Sequence, residues 1–218
     1  MPTTPDSTVL SWTAAERLSL ADLLDDLSDA EWRAPSLCAG WTVHDLAAHL
    51  TLSTRTTLPL FLGGIIRARG DFDRMEADTA RARAARFTPA ELVAQLRETA
   101  HSPRRAPLSA LHDPLVDALV HGQDIARPLD RARPMAGPQT EAALTHVLAS
   151  PFYGVRRRLN GATLTATDRD WTSATTADHP ARIHGPIADL LLVATGRPAG
   201  LPALSGPGLT RLRGLSGS

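Results

Sequence analysis

The chain has 218 residues, 43% of them hydrophobic, with 23 basic and 23 acidic side chains and a formal net charge of +0. That length allows one large domain or two small ones with a real core. The apolar content argues against wholesale disorder, and the neutral balance argues against a nucleic-acid partner. Apart from the histidines, every basic residue is arginine, which excludes a lysine Schiff base or a lysine general base. The single cysteine, Cys38, excludes an internal disulfide framework. No apolar run reaches the roughly 18–20 residues that a membrane span needs, and the first residues lack the basic and apolar regions of a secretion signal. The expectation is a soluble cytoplasmic protein with no membrane and no nucleic-acid partner.

Residues 1–7 are polar, carry two prolines and read as a loose tail. From about Thr8 to Leu27, leucine and alanine recur mostly at helical spacing while Glu16, Arg17, Asp25 and Asp26 can face water, which predicts a helix. Ser28 or Asp29 caps a short turn through Trp32, and Pro35 to Gly40 connects. Thr42 is a good N-cap with Asp45 at the third helical position, a variant of the capping box. The helix it starts is expected to run from Val43 to about Leu62, weakened at its end by Gly63 and Gly64. Asp71 to Arg86 is charged and alanine-rich and reads as a helix with much solvent exposure. Thr88-Pro89-Ala90-Glu91 starts another that runs to about Ala100. Asp113-Pro114 starts the next, which continues to Arg127 and ends at Pro128.

Prolines and a glycine concentrate in residues 128–138 and mark a domain boundary, placed after residue 135. Thr140 to about Leu159 is helical, with an interruption allowed at Pro151. Ala162 to Thr167 alternates and is β-branched, so it is a strand; Trp171 to Thr176 and Ala181 to His184 are its candidate partners. Pro186 to Thr195 is a compact apolar helix ended by Gly196. The fold class is α+β, mostly α: a helical bundle of about four helices over residues 1–135 and a small α+β unit over residues 136–218.

Two stretches carry ligand-type side chains on otherwise apolar helices. Asp117 and His121 are four residues apart, on one helical face, and can hold one ion from the same side. His49, from a different helix, is the natural third ligand. Two imidazoles and a carboxylate suit Zn²⁺, and also Ni²⁺ or Fe²⁺. The plainer reading, a packed histidine and a helix-surface charge, is favoured by spacing alone. Against it stands the position of Asp117 among apolar neighbours, where an unpaired charge is expensive. Asp45 could orient His49 or simply favour a helix start. Asp124 could support His121 or face water, and His44 points elsewhere. Cys38 reads as a structural cysteine, and Trp41 as a core anchor. Arg197 either reaches a substrate carboxylate or caps the end of a helix.

The stretch Pro35-Ser36-Leu37-Cys38-Ala39-Gly40-Trp41-Thr42-Val43-His44-Asp45-Leu46-Ala47-Ala48-His49-Leu50 resembles the N-terminal signature of the mycothiol-dependent maleylpyruvate isomerase family, within the DinB-like superfamily. Asp117 to Pro128 resembles its second metal-bearing helix, and Thr163 to Trp171 with Gly185 to Pro198 resembles its small C-terminal domain. The resemblance implies a metal-binding four-helix bundle whose ligands fall on His49, Asp117 and His121. Where members commonly carry Glu, this chain carries the shorter Asp117. It further implies a metal-dependent isomerase or S-transferase that uses mycothiol or a similar low-molecular-weight thiol on an electrophilic small molecule; the expected state, monomer or homodimer, is left open by the sequence. The competing expectation is a non-catalytic metal- or ligand-binding module with a stress or regulatory role.

Overall fold

The structure, a computed structural model, describes residues 4–174 and 181–215. They form two compact units, Met1–Arg133 and Pro134–Ser218, of the mostly helical α+β class expected. Among the described residues no helix is long and apolar enough to cross a membrane.

The first unit opens with α1 (Asp6–Asp25), which buries Val9, Leu20, Ala21 and Leu24. A short α2 (Asp29–Arg33) follows; Ser28 caps it through a reciprocal box with Glu31. Helix α3 (Val43–Leu50) starts at Thr42, whose hydroxyl accepts from the Asp45 N–H while the Asp45 carboxylate accepts from the Thr42 N–H. Two orphan donors of the first turn are thereby satisfied.

The expected single helix to Leu62 is broken. After Leu50 comes a 3₁₀ turn, Thr51–Thr54, and then a separate α4 (Leu58–Arg67). The hydroxyls of Thr51, Ser53 and Thr56 donate back to the carbonyls of Ala48, Leu50 and Leu52. Such bonds compete with the helical ladder, and Pro59, in the first turn of α4, lacks the N–H needed to continue the preceding helix. No residue of α4 is buried.

Helix α5 (Phe72–Ala84) is capped by Asp71, α6 (Pro89–Glu98) by the Thr88–Glu91 box, and α7 (Asp113–Ala126) carries Pro114 in its first turn. Helix α3 packs against α5, α6 and α7, and α1 against α6 and α7. Their shared core holds Leu20, Leu24, Leu46, Ala47, Leu92 and Ile125. A Cβ at Gly122 of α7 would collide with the Arg133 side chain. Arg133 crosses that glycine to pair with Glu16 at 2.9 Å and to reach Ser19 at 2.9 Å.

In the second unit, α8 (Gly137–Ala149) starts earlier than expected because Pro138 suits a first turn. The break at Pro151 is present, and α9 (Val155–Leu159) follows Gly154, whose φ of 65° suits glycine. Strands β1 (Thr163–Ala166) and β2 (Arg182–Gly185) pair in parallel, Thr163 opposite Arg182. Of the other expected partner, Trp171 to Thr176, the described part makes a single antiparallel bridge, Thr172 to Thr165; Thr175 and Thr176 lie outside the described residues. Helix α10 (Ile187–Ala194) is buried along most of its length and packs against α8.

Candidate metal centre

Between Pro114 and Ala126 every residue of α7 is buried except Asp117 and His121. The hydrophobic faces of Leu115, Ala118, Leu119 and Ile125 fix this helix in the core, so the two polar side chains emerge together from an apolar surround. His49 stands at the last turn of α3, held by the Thr42 cap at one end and by Leu46 and Leu50 below. Asp117 Oδ1 lies 3.3 Å from His121 Nε2 and 3.5 Å from His49 Nε2. The two imidazoles meet edge to face with ring centres 5.1 Å apart. The three candidate ligand atoms all lie within 4.8 Å of one another.

Three donors at zinc–ligand distances of about 2.0–2.2 Å around a tetrahedral ion would stand about 3.4 Å apart. The two distances from the Asp117 carboxylate match that spacing, so the residues present fit a divalent ion.

The electrostatics of this cluster are those of a charged pair. Burial pushes the Asp117 carboxyl up, but the adjoining His121 and His49 imidazoles outweigh it and hold Asp117 far below the usual carboxylate range. Burial likewise opposes the His121 cation, yet Asp117, Asp124 and Cys38 together raise its pKa well above the ordinary value.

Behind His121 lies a second layer. Asp124 is fully buried, and its Oδ2 is 2.9 Å from His121 Nδ1. The Cys38 thiol donates to the same oxygen at 3.3 Å, with Sγ 3.7 Å from His121 Nδ1. The bond to Nδ1 leaves Nε2 directed at Asp117, the arrangement found behind metal-bound histidines. Of the two roles open to Asp124, support of His121 is therefore the one realised. The loop bearing Cys38 is tied to the same helix, since the Leu37 N–H donates to the Asp124 carbonyl at 2.9 Å. Cys38 is thus more than a packing residue, and spacing along the chain gives no sign of its basic neighbour.

The remaining candidate residues sort cleanly by contact. Asp45 Oδ2 accepts from both the N–H and the hydroxyl of Thr42 at 2.9 and 2.7 Å, so it is a cap. His44 turns away, with Nε2 3.0 Å from the Phe87 carbonyl and its ring edge-on to Trp32. Trp41 packs edge-on to His49, ring centres 5.5 Å apart. Arg197 belongs to the second unit, where it donates to the Thr195 carbonyl at 2.8 Å just beyond α10.

One further acidic residue is not apparent from sequence. Glu76 of α5 is only partly exposed. Burial raises its pKa, His49 and His121 pull it down, and Asp117 pushes it up, so its carboxyl stands within electrostatic reach of all three cluster members. It sits in a charged, alanine-rich segment with a solvent-facing pattern; the only hint is its spacing of one turn from Ala80, which is fully buried.

A mostly helical unit that gathers two histidines and a carboxylate from separate helices defines a class of helical proteins with a ligand-rich centre. Residues 13–114 match the family model for the mycothiol maleylpyruvate isomerase N-terminal domain. Two crystal structures of the mycothiol-dependent maleylpyruvate isomerase, one of them a histidine-to-alanine mutant, share the chain's fold. Each has a TM-score of 0.62 and covers 95% of this chain and 96% of its own, at 16% identity for the first and 15% for the mutant. No curated protein matches the chain.

Proposed function

We propose that the chain is a metal-dependent enzyme that uses mycothiol or a similar low-molecular-weight thiol to isomerise, or transfer sulfur to, an electrophilic small molecule. The observation that carries this reading is the convergence of His49, Asp117 and His121 at ligand spacing. The family of the N-terminal domain and the fold it shares with a mycothiol-dependent isomerase supply the choice of thiol. His49 and His121 would each offer Nε2 and Asp117 one carboxylate oxygen; Zn²⁺ is the first choice, and the donors also admit Ni²⁺ or Fe²⁺. A divalent ion held there supplies the positive charge that keeps a thiol deprotonated at neutral pH.

The remaining roles fall to the chain's own groups. Asp124 accepts from His121 Nδ1 and so orients the ring. Glu76 of α5 adds a further carboxyl whose charge acts on the cluster.

The test is elemental analysis of the purified protein beside His49→Ala and His121→Ala, followed by calorimetric titration with mycothiol. One equivalent of metal in the parent, lost in both variants, and saturable thiol binding are expected. Full metal occupancy in both variants would end the reading. Bound metal with a silent thiol titration would return the protein to the non-catalytic metal-binding module.

A further inference from the structure

Away from the histidine cluster, the first unit contains a cavity of about 750 Å³, within the size range of small-molecule sites. Its walls come from the 3₁₀ turn after α3, from α5 and α6, and from the loop that follows α6. Three arginines line it, Arg55, Arg83 and Arg104, against one acid, Glu98. Glu98 pairs with Arg55 at 2.6 Å, which leaves the other two charges uncompensated within the lining.

Arg83 is held in place by neutral oxygens, the Thr51 hydroxyl and the Gln95 side-chain carbonyl. Its guanidinium also lies over the Phe87 ring, 4.7 Å from the centre. Burial opposes its charge, and the guanidiniums of Arg55 and Arg86 oppose it further, as expected of cations crowded around a single carboxylate. Two polar atoms in the lining are also orphaned. Thr54 is only 5% exposed, and neither its Oγ1 nor Arg55 Nε has a hydrogen-bond partner among the described residues. Buried polar atoms are seldom left so.

One wall is braced from behind. Arg17, itself buried, donates to the carbonyls of Thr99, Ala100 and Ser102 and to the Ser53 hydroxyl. Thr99 and Ser102 belong to the lining, so that side of the cavity is fixed before any ligand arrives, and little ordering entropy remains to oppose binding. Planar guanidiniums match the oxygens of carboxylates and phosphates two at a time.

We propose that this cavity binds a small dianion, a dicarboxylate or a phosphate, through Arg55, Arg83 and Arg104, at a site separate from the His49–Asp117–His121 cluster. The two sources share one chemistry, oxyanions facing guanidiniums. The experiment is calorimetric titration of the full chain at low ionic strength with succinate and, separately, with inorganic phosphate. Saturable heat is expected from at least one probe, and the probe that gives it assigns the source. Arg55→Gln and Arg104→Ala should each weaken that binding by roughly tenfold or more, the loss expected for a hydrogen-bonded charge. Arg74→Gln, an exposed change on α5 outside the lining, should leave it unchanged.

Arg104 is exposed, so its variant should keep the parent circular dichroism even if Arg55→Gln does not fold. Silence with both probes, binding that survives the Arg104 change, or equal sensitivity to Arg74→Gln would overturn the proposal. Removing metal from the protein should leave the binding as it was, so failure here and failure of the metal reading are told apart.

Discussion

Asp124 offers the sharpest test of how the cluster is built. It is fully buried and accepts from His121 Nδ1 at 2.9 Å, on the opposite edge of the ring from the nitrogen that faces Asp117. Its effect on a bound ion would therefore pass through the orientation and basicity of one imidazole. Asp124→Asn keeps the shape and an acceptor oxygen but removes the charge that favours an electron-rich ring. Loss of such an outer partner typically weakens metal binding by about 10–100-fold, equivalent to roughly 1.4–2.8 kcal/mol. The assay is competition for Zn²⁺ against a chromophoric chelator, with Asp78→Asn on the exposed face of α5 as control. The expected order of affinity is parent and control together, then Asp124→Asn, then His121→Ala with no measurable site. Zinc affinity in Asp124→Asn equal to that of the parent would refute the claim that Asp124 supports His121 as a ligand, even if His49 and His121 proved essential.

Further outcomes follow from the same geometry. Without metal, the depressed Asp117 carboxyl contributes stability that is present above about pH 4 and lost as pH falls, while the raised His121 imidazole contributes stability that is complete below about pH 6.5 and lost as pH rises. The metal-free melting temperature should thus peak between those values, and added Zn²⁺ should lift the alkaline side most, because metal binds neutral imidazole; a flat alkaline limb without metal would contradict the pairing. Gly122→Ala should gain about 1 kcal/mol from helix propensity alone, but the new Cβ would collide with Arg133 and displace the buried pair with Glu16. A net loss of about 1–3 kcal/mol in urea unfolding is expected, and a gain would show that Arg133 moves freely. Thr42→Ala removes the cap of the helix that carries His49 and should lower stability by about 1 kcal/mol in the same assay. Ile66→Gln, at a side chain 76% exposed, should change it by less than about 0.5 kcal/mol.

What can be read from the sequence is what local chemistry decides. The starts of α3 and α6 are visible because Thr42 with Asp45 and Thr88 with Glu91 satisfy their own backbone donors within four residues. Pairing of Asp117 with His121 is visible for the same reason, one turn of one helix. Hidden features depend on partners far along the chain. The end of α3 is obscured because leucines continue at helical spacing past Leu50, while the hydroxyls that terminate the ladder act through side-chain bonds that no hydrophobic pattern records. Glu76 is hidden because what raises its pKa is burial, and burial is supplied by other helices.

Two of the stretches that carry the family resemblance, Pro35–Leu50 and Asp117–Pro128, turn out to be one physical object. Leu37 donates its N–H to the Asp124 carbonyl, Cys38 donates to the Asp124 carboxylate across 86 residues of chain, and His49 faces Asp117 at 3.5 Å. The loop before α3 and the second half of α7 therefore hold each other in register through the residues that surround the cluster. A substitution in the Pro35–Trp41 loop should then be felt at His121 without touching it. Cys38→Ala removes the thiol donor to Asp124 Oδ2 and leaves the imidazole as a donor there. That change should shift the His121 ring resonances in the metal-free protein while those of His44, which bonds Phe87 instead, stay in place. Equal shifts at both histidines would mean that the loop acts by general loosening and not through Asp124.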